Sequence, residues 1–192
     1  MPKPAERKTR TPRTPARAAK RAPRLRVLAI RHAIAVERED FARDGGTDAL
    51  RPLTRTGRRK MRLAAQGLAT LVPGLDALAA SPLTRAAQTA DILARRYKGV
   101  RTLSLAPLAP GRAGAALIGW LDEQKPGGTV AIVGHEPDLG QFVSWALTGL
   151  RESFIPLKKG GACLIEFERD VKPGRAKLLW CLRPSQLRGL KS

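Results

Sequence analysis

Two short, almost wholly apolar runs constrain this chain more than anything else in it: Val27-Leu-Ala-Ile30 and Thr129-Val-Ala-Ile-Val133, the second fenced by glycines on both sides. Runs of that length, lacking the polar alternation of a half-exposed strand, belong to strands buried on both faces, and such strands need helices above and below them. The sequence between them supplies the helices. From Thr54 onward, Met61, Ala64, Ala65, Leu68 and Leu71 recur at helical spacing until Val72-Pro-Gly breaks the pattern. Leu78-Ala-Ala reads as a second strand, and Ser81-Pro82 as the N-cap and first residue of a helix with Ala86, Ala90, Leu93 and Tyr97 inward. A strand over Val100 to Leu105 follows, then a short helix over Ala113 to Gln124 with Ala116, Leu117 and Trp120 inward. The helix after Pro137 carries Leu139, Phe142, Val143, Ala146, Leu147 and Leu150 along one face. Ala162 to Glu168 and Ala176 to Leu182, joined through Lys172-Pro-Gly, close the pattern as two strands. The expectation is an α/β fold: one domain over 25–182, a mostly parallel sheet covered on both faces, and an antiparallel edge at its C-terminal end.

Charge divides the chain differently. Of 36 Lys and Arg and a net charge of +20, residues 1–26 hold ten basic residues against one Glu. That stretch is also proline-rich and nearly free of strongly apolar residues, so it cannot bury enough surface to offset the entropy of ordering. Residues 1–24 are read as a disordered basic arm, either a solvated tail or a contact for nucleic acid or other polyanions. Residues 183–192 read as a second short tail. No apolar run approaches the length of a membrane span, and no apolar stretch with a cleavage site follows the basic N-terminus, so the expectation is a cytoplasmic protein. Aromatic residues, at 4%, are too few for a nucleic-acid binder built on stacking platforms. Cys163 and Cys181 fit no metal-ligand spacing and read as two buried, reduced thiols, although a bridge between them is open in principle.

In a parallel α/β sheet, ligands bind beyond the carboxyl ends of the strands. Both histidines of the chain stand there: His32 just after the Val27–Ile30 run and His135 just after Val130–Val133. One histidine at a strand end is usually a structural hydrogen-bonder; two in the same topological position point to a shared crevice. Arg31 precedes His32, Arg85 falls in the first turn after Ser81-Pro82, and Arg51 ends the loop that follows the first strand. Guanidinium groups match phosphate oxygens two at a time, and a helix N-terminus adds unpaired N–H groups. Two histidines without an H-x-x-x-H or H-x-H spacing argue against a metal site, and no metal or other cofactor is expected.

Four segments carry a resemblance: Leu28-Ala-Ile-Arg31-His32-Ala33, Arg51-Pro-Leu-Thr54, Ala80-Ser-Pro-Leu-Thr-Arg85-Ala-Ala-Gln-Thr-Ala90 and Val133-Gly-His135-Glu-Pro137. In this order they resemble the histidine phosphatase, or phosphoglycerate-mutase-like, superfamily, and within it the small phosphohistidine phosphatases of the SixA type. The resemblance spans about residues 25–182. It implies a three-layer α/β/α domain and metal-independent phosphatase chemistry, with His32 as the nucleophile that becomes phosphorylated and Arg31, Arg85 and His135 holding the phosphoryl group. Ala33 departs from the glycine usual at that place and would narrow the room beside the phosphate.

Many superfamily members carry a glutamate after the third strand, whereas here no Asp or Glu occurs from Ile92 to Leu121. A general acid must come from Glu37, Glu39, Asp40, Asp44 or Asp48; Asp48 resembles an aspartate of the phosphohistidine branch and is favoured. Glu136 is accounted for by the helix N-terminus beside it. An alkoxide leaving group needs proton donation more than the imidazole of a labile P–N bond does. The lack of that glutamate therefore favours protein phosphohistidine as substrate, with small phosphomonoesters as the alternative. Too few residues separate the Arg85 helix from the Val130 strand for a lid, so the crevice stays open to a phosphorylated protein side chain. A non-catalytic basic module that binds polyanions is the reading of a different class.

Overall fold

In the computed structural model the described residues are 24–112, 114–168 and 170–190. The strands are β1 (Leu25–Arg31), β2 (Ala77–Ala80), β3 (Thr102–Ser104), β4 (Thr129–Gly134), β5 (Ala162–Phe167) and β6 (Ala176–Leu182). They form one sheet in the order β3-β2-β4-β1-β5-β6. β1 pairs in parallel with β4, and β2 with β3 and β4, while β5 runs antiparallel to both β1 and β6. The mostly parallel sheet and its antiparallel side thus follow the sequence pattern.

The layers follow from the two-residue period of the strands. Leu28 and Ile30 of β1, Ala131 and Val133 of β4, and Leu164 of β5 face one way, onto α2 (Arg55–Leu71), α3 (Thr84–Arg96) and α6 (Pro184–Gly189). Val27, Ala29, Val130, Ile132 and Ile165 face the other way, onto α4 (Ala115–Asp122) and α5 (Asp138–Thr148). Both faces are dry, which is why neither β1 nor β4 alternates. A short α1 (Arg38–Arg43) and a 3-10 turn at Asp48–Leu50 occupy the loop after β1. Among the described residues no helix is long and apolar enough to cross a membrane.

The structure departs from the sequence reading in several places. Residues 183–190 are not a tail: α6 lies along α2, and Leu187 is fully buried. The α2–α6 contact depends on Gly67, where a Cβ would stand 1.9 Å from the Leu187 carbonyl oxygen. Ser81 does not cap α3, which begins three residues later at Thr84. Strand β3 and helix α4 are shorter than expected; Ala116 and Leu150 are exposed, and α4 packs through Leu117 and Leu121. Cys163 is buried, but Cys181, directly opposite it across β5 and β6, is exposed; both thiols are free. The basic arm expected over 1–24 lies outside the described residues except for Arg24, which forms an ion pair with Glu166 at 2.7 Å.

Candidate active site

The register of β1 and β4 fixes the centre of the site. Arg31 is paired with Gly134, so the residues that follow, His32 and His135, leave neighbouring strands side by side. Their ring centroids are 5.0 Å apart, and both side chains are almost wholly buried, at 5% and 3% exposure. The His32 N–H donates to the Gly134 carbonyl at 3.0 Å, which locks the two turns together.

Hydrogen bonding sets the His32 tautomer. Its Nδ1 lies 2.7 Å from the Ala33 carbonyl oxygen, which can only accept, so Nδ1 carries the proton and Nε2 keeps its lone pair. Burial, and after it the charges of Arg85, Arg31 and Arg51, depress its pKa to about 4. Burial, His32 and Arg85 depress His135 to about 3. Both rings are therefore neutral at pH 7. The depression expected of a cationic pocket is present, but desolvation is its larger cause.

Arg85 is 2% exposed. It donates through Nη1 to the Asp48 carbonyl at 2.8 Å and through Nη2 to the Asp48 carboxylate at 3.1 Å. Arg51, also buried, donates from Nε to the same carboxylate at 2.9 Å and from Nη1 to the Val36 carbonyl. The exposed Arg38 reaches it at 3.3 Å. Burial works to raise the Asp48 pKa, but the Arg51 hydrogen bond and the charges of Arg85, Arg51 and Arg38 outweigh it and hold the carboxyl below its ordinary value. Asp48 is thus ionised at neutral pH and fastens two arginines, which is at odds with the proton donor expected from the sequence. Among the described residues the imidazoles bond to the Ala33 carbonyl and the Ser81 hydroxyl, and Glu37, Glu39, Asp40 and Asp44 form no hydrogen bond or ion pair with either ring.

Arg31 is held from the opposite side. Its Nη1 donates to the Leu157 carbonyl at 2.8 Å, while the Leu157 N–H donates to Glu136 Oε1 at 2.9 Å. Burial pushes Glu136 up, and the Leu157 N–H and Arg31 oppose that rise. Glu136 therefore orders the 153–157 loop beside Arg31, a contact 21 residues away in sequence that no local pattern announces. Ser81 was missed as well: its hydroxyl lies 2.8 Å from His135 Nε2 and accepts from the Leu83 N–H. Thr89, one turn beyond Arg85, accepts from the Ala33 N–H at 3.0 Å and donates to the Arg85 carbonyl, tying α3 to the His32 turn. Ala33 itself is buried and belongs to the core on the side of α2 and α3.

Arg31 Nε, Arg85 Nε and His135 Nδ1 are buried without a hydrogen-bond partner among the described residues. Buried polar atoms are normally satisfied, so such a concentration marks a place built for a polar group from outside. Arg31, Arg51 and Arg85 outnumber Asp48 and Glu136 there, and the group that fits is an oxyanion.

Comparison with known proteins follows the same line. Residues 27–106 match the family model described as histidine phosphatase superfamily (branch 1). An uncharacterized protein of Picosynechococcus sp. is 38% identical over 134 residues, covering 69% of this chain and 79% of that protein. Among solved structures, the protein histidine phosphatase SixA complexed with tungstate superposes with a TM-score of 0.70 at 22% identity, over 84% of this chain and 99% of SixA. A phosphoserine phosphatase of Entamoeba histolytica, a mutant bound to phosphoserine, gives 0.60 at 17% identity over 85% and 99%. A phosphoglycerate mutase of Bacillus anthracis gives 0.60 at 11% over 88% and 97%. At these identities the solved structures establish the fold alone.

Proposed function

The chain belongs to branch 1 of the histidine phosphatase superfamily, and on that premise we propose that it is a metal-independent phosphohistidine phosphatase working through a phosphorylated His32. The observation that carries this reading is the His32 tautomer. With its Nδ1 proton given to the Ala33 carbonyl, Nε2 is a neutral, unprotonated nucleophile within a group of guanidinium charges.

In the first step Nε2 attacks phosphorus, and the substrate's P–N bond breaks with its electron pair going to the departing ring nitrogen. A new P–Nε2 bond forms on His32. Water then attacks phosphorus, the P–Nε2 bond breaks, and inorganic phosphate leaves with the proton balance met by solvent. Phosphoryl transfer asks chiefly for positioning and for compensation of charge on the equatorial oxygens. Arg31, Arg85 and His135 are given that role, with Arg51 supporting Arg85 through Asp48. Guanidinium groups supply the charge a metal ion would otherwise bring.

The proposed substrate preference rests on the glutamate that is missing after the third strand. Asp48 is already ionised, and no Asp or Glu lies between Ile92 and Leu121. An imidazole leaves without strong proton donation; an alkoxide does not. The basic segment 1–24 is proposed as a contact for polyanions, on its charge alone.

Trapping tests the reading. The full-length protein is incubated with labelled phosphoramidate, a phosphohistidine peptide and a phosphoserine peptide, and then quenched. Label that is acid-labile, base-stable and mapped to His32 is expected, with phosphoramidate and phosphohistidine turned over at least about 100-fold faster than phosphoserine. Equal turnover by His32→Ala sinks the nucleophile. A phosphoserine rate matching that for phosphohistidine sinks the substrate assignment and favours small phosphomonoesters.

A further inference from the structure

At the same end of the sheet as the imidazoles is a second cationic hollow that the proposed chemistry does not use. It is a cleft of about 160 Å³ lined by three partly buried cations, Lys60 of α2, Lys159 at the entry to β5 and Arg188 of α6. Small residues make the room. On α2, Gly57, Lys60, Met61 and Ala64 share one face. A Cβ at Gly57 would stand 2.0 Å from the Ile34 carbonyl oxygen, so the helix lies directly on the chain leaving β1. Gly160 takes φ +81°, a left-handed conformation that favours glycine, and its N–H donates to both the Arg31 and His32 carbonyls at 3.1 Å.

The hollow lies on the catalytic rim of the sheet. Ala33 and Ile34 leave the carboxyl end of β1. Lys159 and Gly160 enter β5, which runs antiparallel to β1. Pro184 and Ser185 follow β6, which runs antiparallel to β5 and hence in the direction of β1. All these walls arise at the end that carries His32, and Ala33, the next residue, is one of them.

Its chemistry is one-sided. Lys159 has the exposed Glu37 at 3.8 Å, but among the described residues neither Lys60 nor Arg188 has an acidic partner within ion-pair distance. Partly burying cations without countercharge costs free energy that a bound anion restores. The cleft is well under the about 300–1,000 Å³ of a small-molecule pocket, so it suits a single carboxylate- or phosphate-sized group.

We propose that this hollow is a second oxyanion site, holding a carboxylate or a further phosphoryl group of the molecule whose reacting phosphoryl group sits at His32. It selects substrates that carry a second anion close to the first. The substrate part of this proposal rests on the phosphatase reading; the binding part does not.

Two measurements keep them apart. Full-length His32→Ala protein is titrated with inorganic phosphate while backbone amide shifts are followed by NMR. Two saturable sets are expected, one around Arg85 and His135 and another around Ala33, Lys60, Gly160 and Arg188, with only the second lost on adding Lys60→Ala and Arg188→Ala. Absence of the second set, or its survival in the triple variant, overturns the site. In the active protein, kcat/KM is compared between a phosphohistidine peptide flanked by Glu and the same peptide flanked by Gln, and between a bisphosphorylated compound and its monophosphorylated counterpart. A preference within the peptide pair assigns a carboxylate, and one within the compound pair a phosphoryl group. Lys60→Ala with Arg188→Ala should lower that preference about tenfold, as expected for lost charge-assisted hydrogen bonds. A merely structural pair of residues would lower both members together and leave the ratio unchanged, which overturns the proposal, as does a wild-type ratio near unity. If phosphohistidine turnover is absent while the second set of shifts remains, the functional reading falls and the anion site stands.

Discussion

Asp48 faces three arginines, and that neighbourhood decides what an aspartate can do. Its carboxylate accepts from Arg51 and Arg85 and has Arg38 at 3.3 Å. A proton donor and an ionised clamp respond differently to Asp48→Asn. Loss of a donor would slow ester substrates far more than phosphoramidates, because only the esters need the proton. A clamp gives a drop of about tenfold in kcat/KM for both, since Arg51 and Arg85 lose the anion that aligns them. The second outcome is expected, and steady-state rates on one substrate of each kind decide it. The imidazoles carry a pH prediction. Their folded-state pKa values, about 4 for His32 and about 3 for His135, lie below the roughly 6.5 of an unfolded chain. Between those limits the unfolded chain binds more protons, so stability that is complete above about pH 6.5 declines as pH falls toward 4. Urea midpoints should be lower at pH 5 than at pH 7.5, and the difference should shrink in a His32→Ala/His135→Ala variant. The histidines and Arg31, Arg51 and Arg85 were legible because each follows a strand or a recognisable motif. Asp48's partners, Ser81's hydroxyl and Glu136's hold on Leu157 were not, because each depends on where a distant loop comes to rest.

At the scale of elements, legibility tracked how far a segment's own sequence determines its state. Strands β1 and β4 are buried on both faces, and α2 carries a continuous apolar stripe, so their patterns were complete. Ser81-Pro82 misled because the local signal for a helix start is strong, yet tertiary packing uses the serine on His135 and starts α3 at Thr84. Helix α6 was invisible for the opposite reason. It has six residues with one buried apolar side chain, too short to show a period, and it exists because Leu187 reaches the core on the α2 side. Leu187→Ala should therefore cost about 2–5 kcal/mol, as for other buried leucines, and a surface tail would lose almost nothing. Gly67→Ala should destabilise as well, because its Cβ would meet the Leu187 carbonyl at 1.9 Å and force the two helices apart. Urea unfolding of both variants at pH 7.5 checks the pair; midpoints equal to wild type would return residues 183–190 to the status of a tail.

For the molecule as a whole, the question is where its +20 acts. Residues 1–23 hold eight Lys and Arg and one Glu, so +13 of the total belongs to residues 24–192. A cationic body with Arg31, Arg51 and Arg85 at one rim should draw phosphorylated substrates by its long-range field even without the N-terminal segment. Such steering is screened over a Debye length of about 10 Å at 0.1 M salt. For an anionic phosphopeptide, kcat/KM should fall several-fold between 0.02 and 0.5 M NaCl, with kcat nearly constant because the field acts before chemistry. Deleting residues 1–23 keeps Arg24 on Glu166 and should keep most of that salt slope. The deletion should act instead on a long polyanion, where each lost phosphate contact removes counterion release and flattens the binding slope. If deletion abolishes the salt dependence of kcat/KM, the attraction lies in the first 23 residues, and the charged body around the imidazole rim is mere surface.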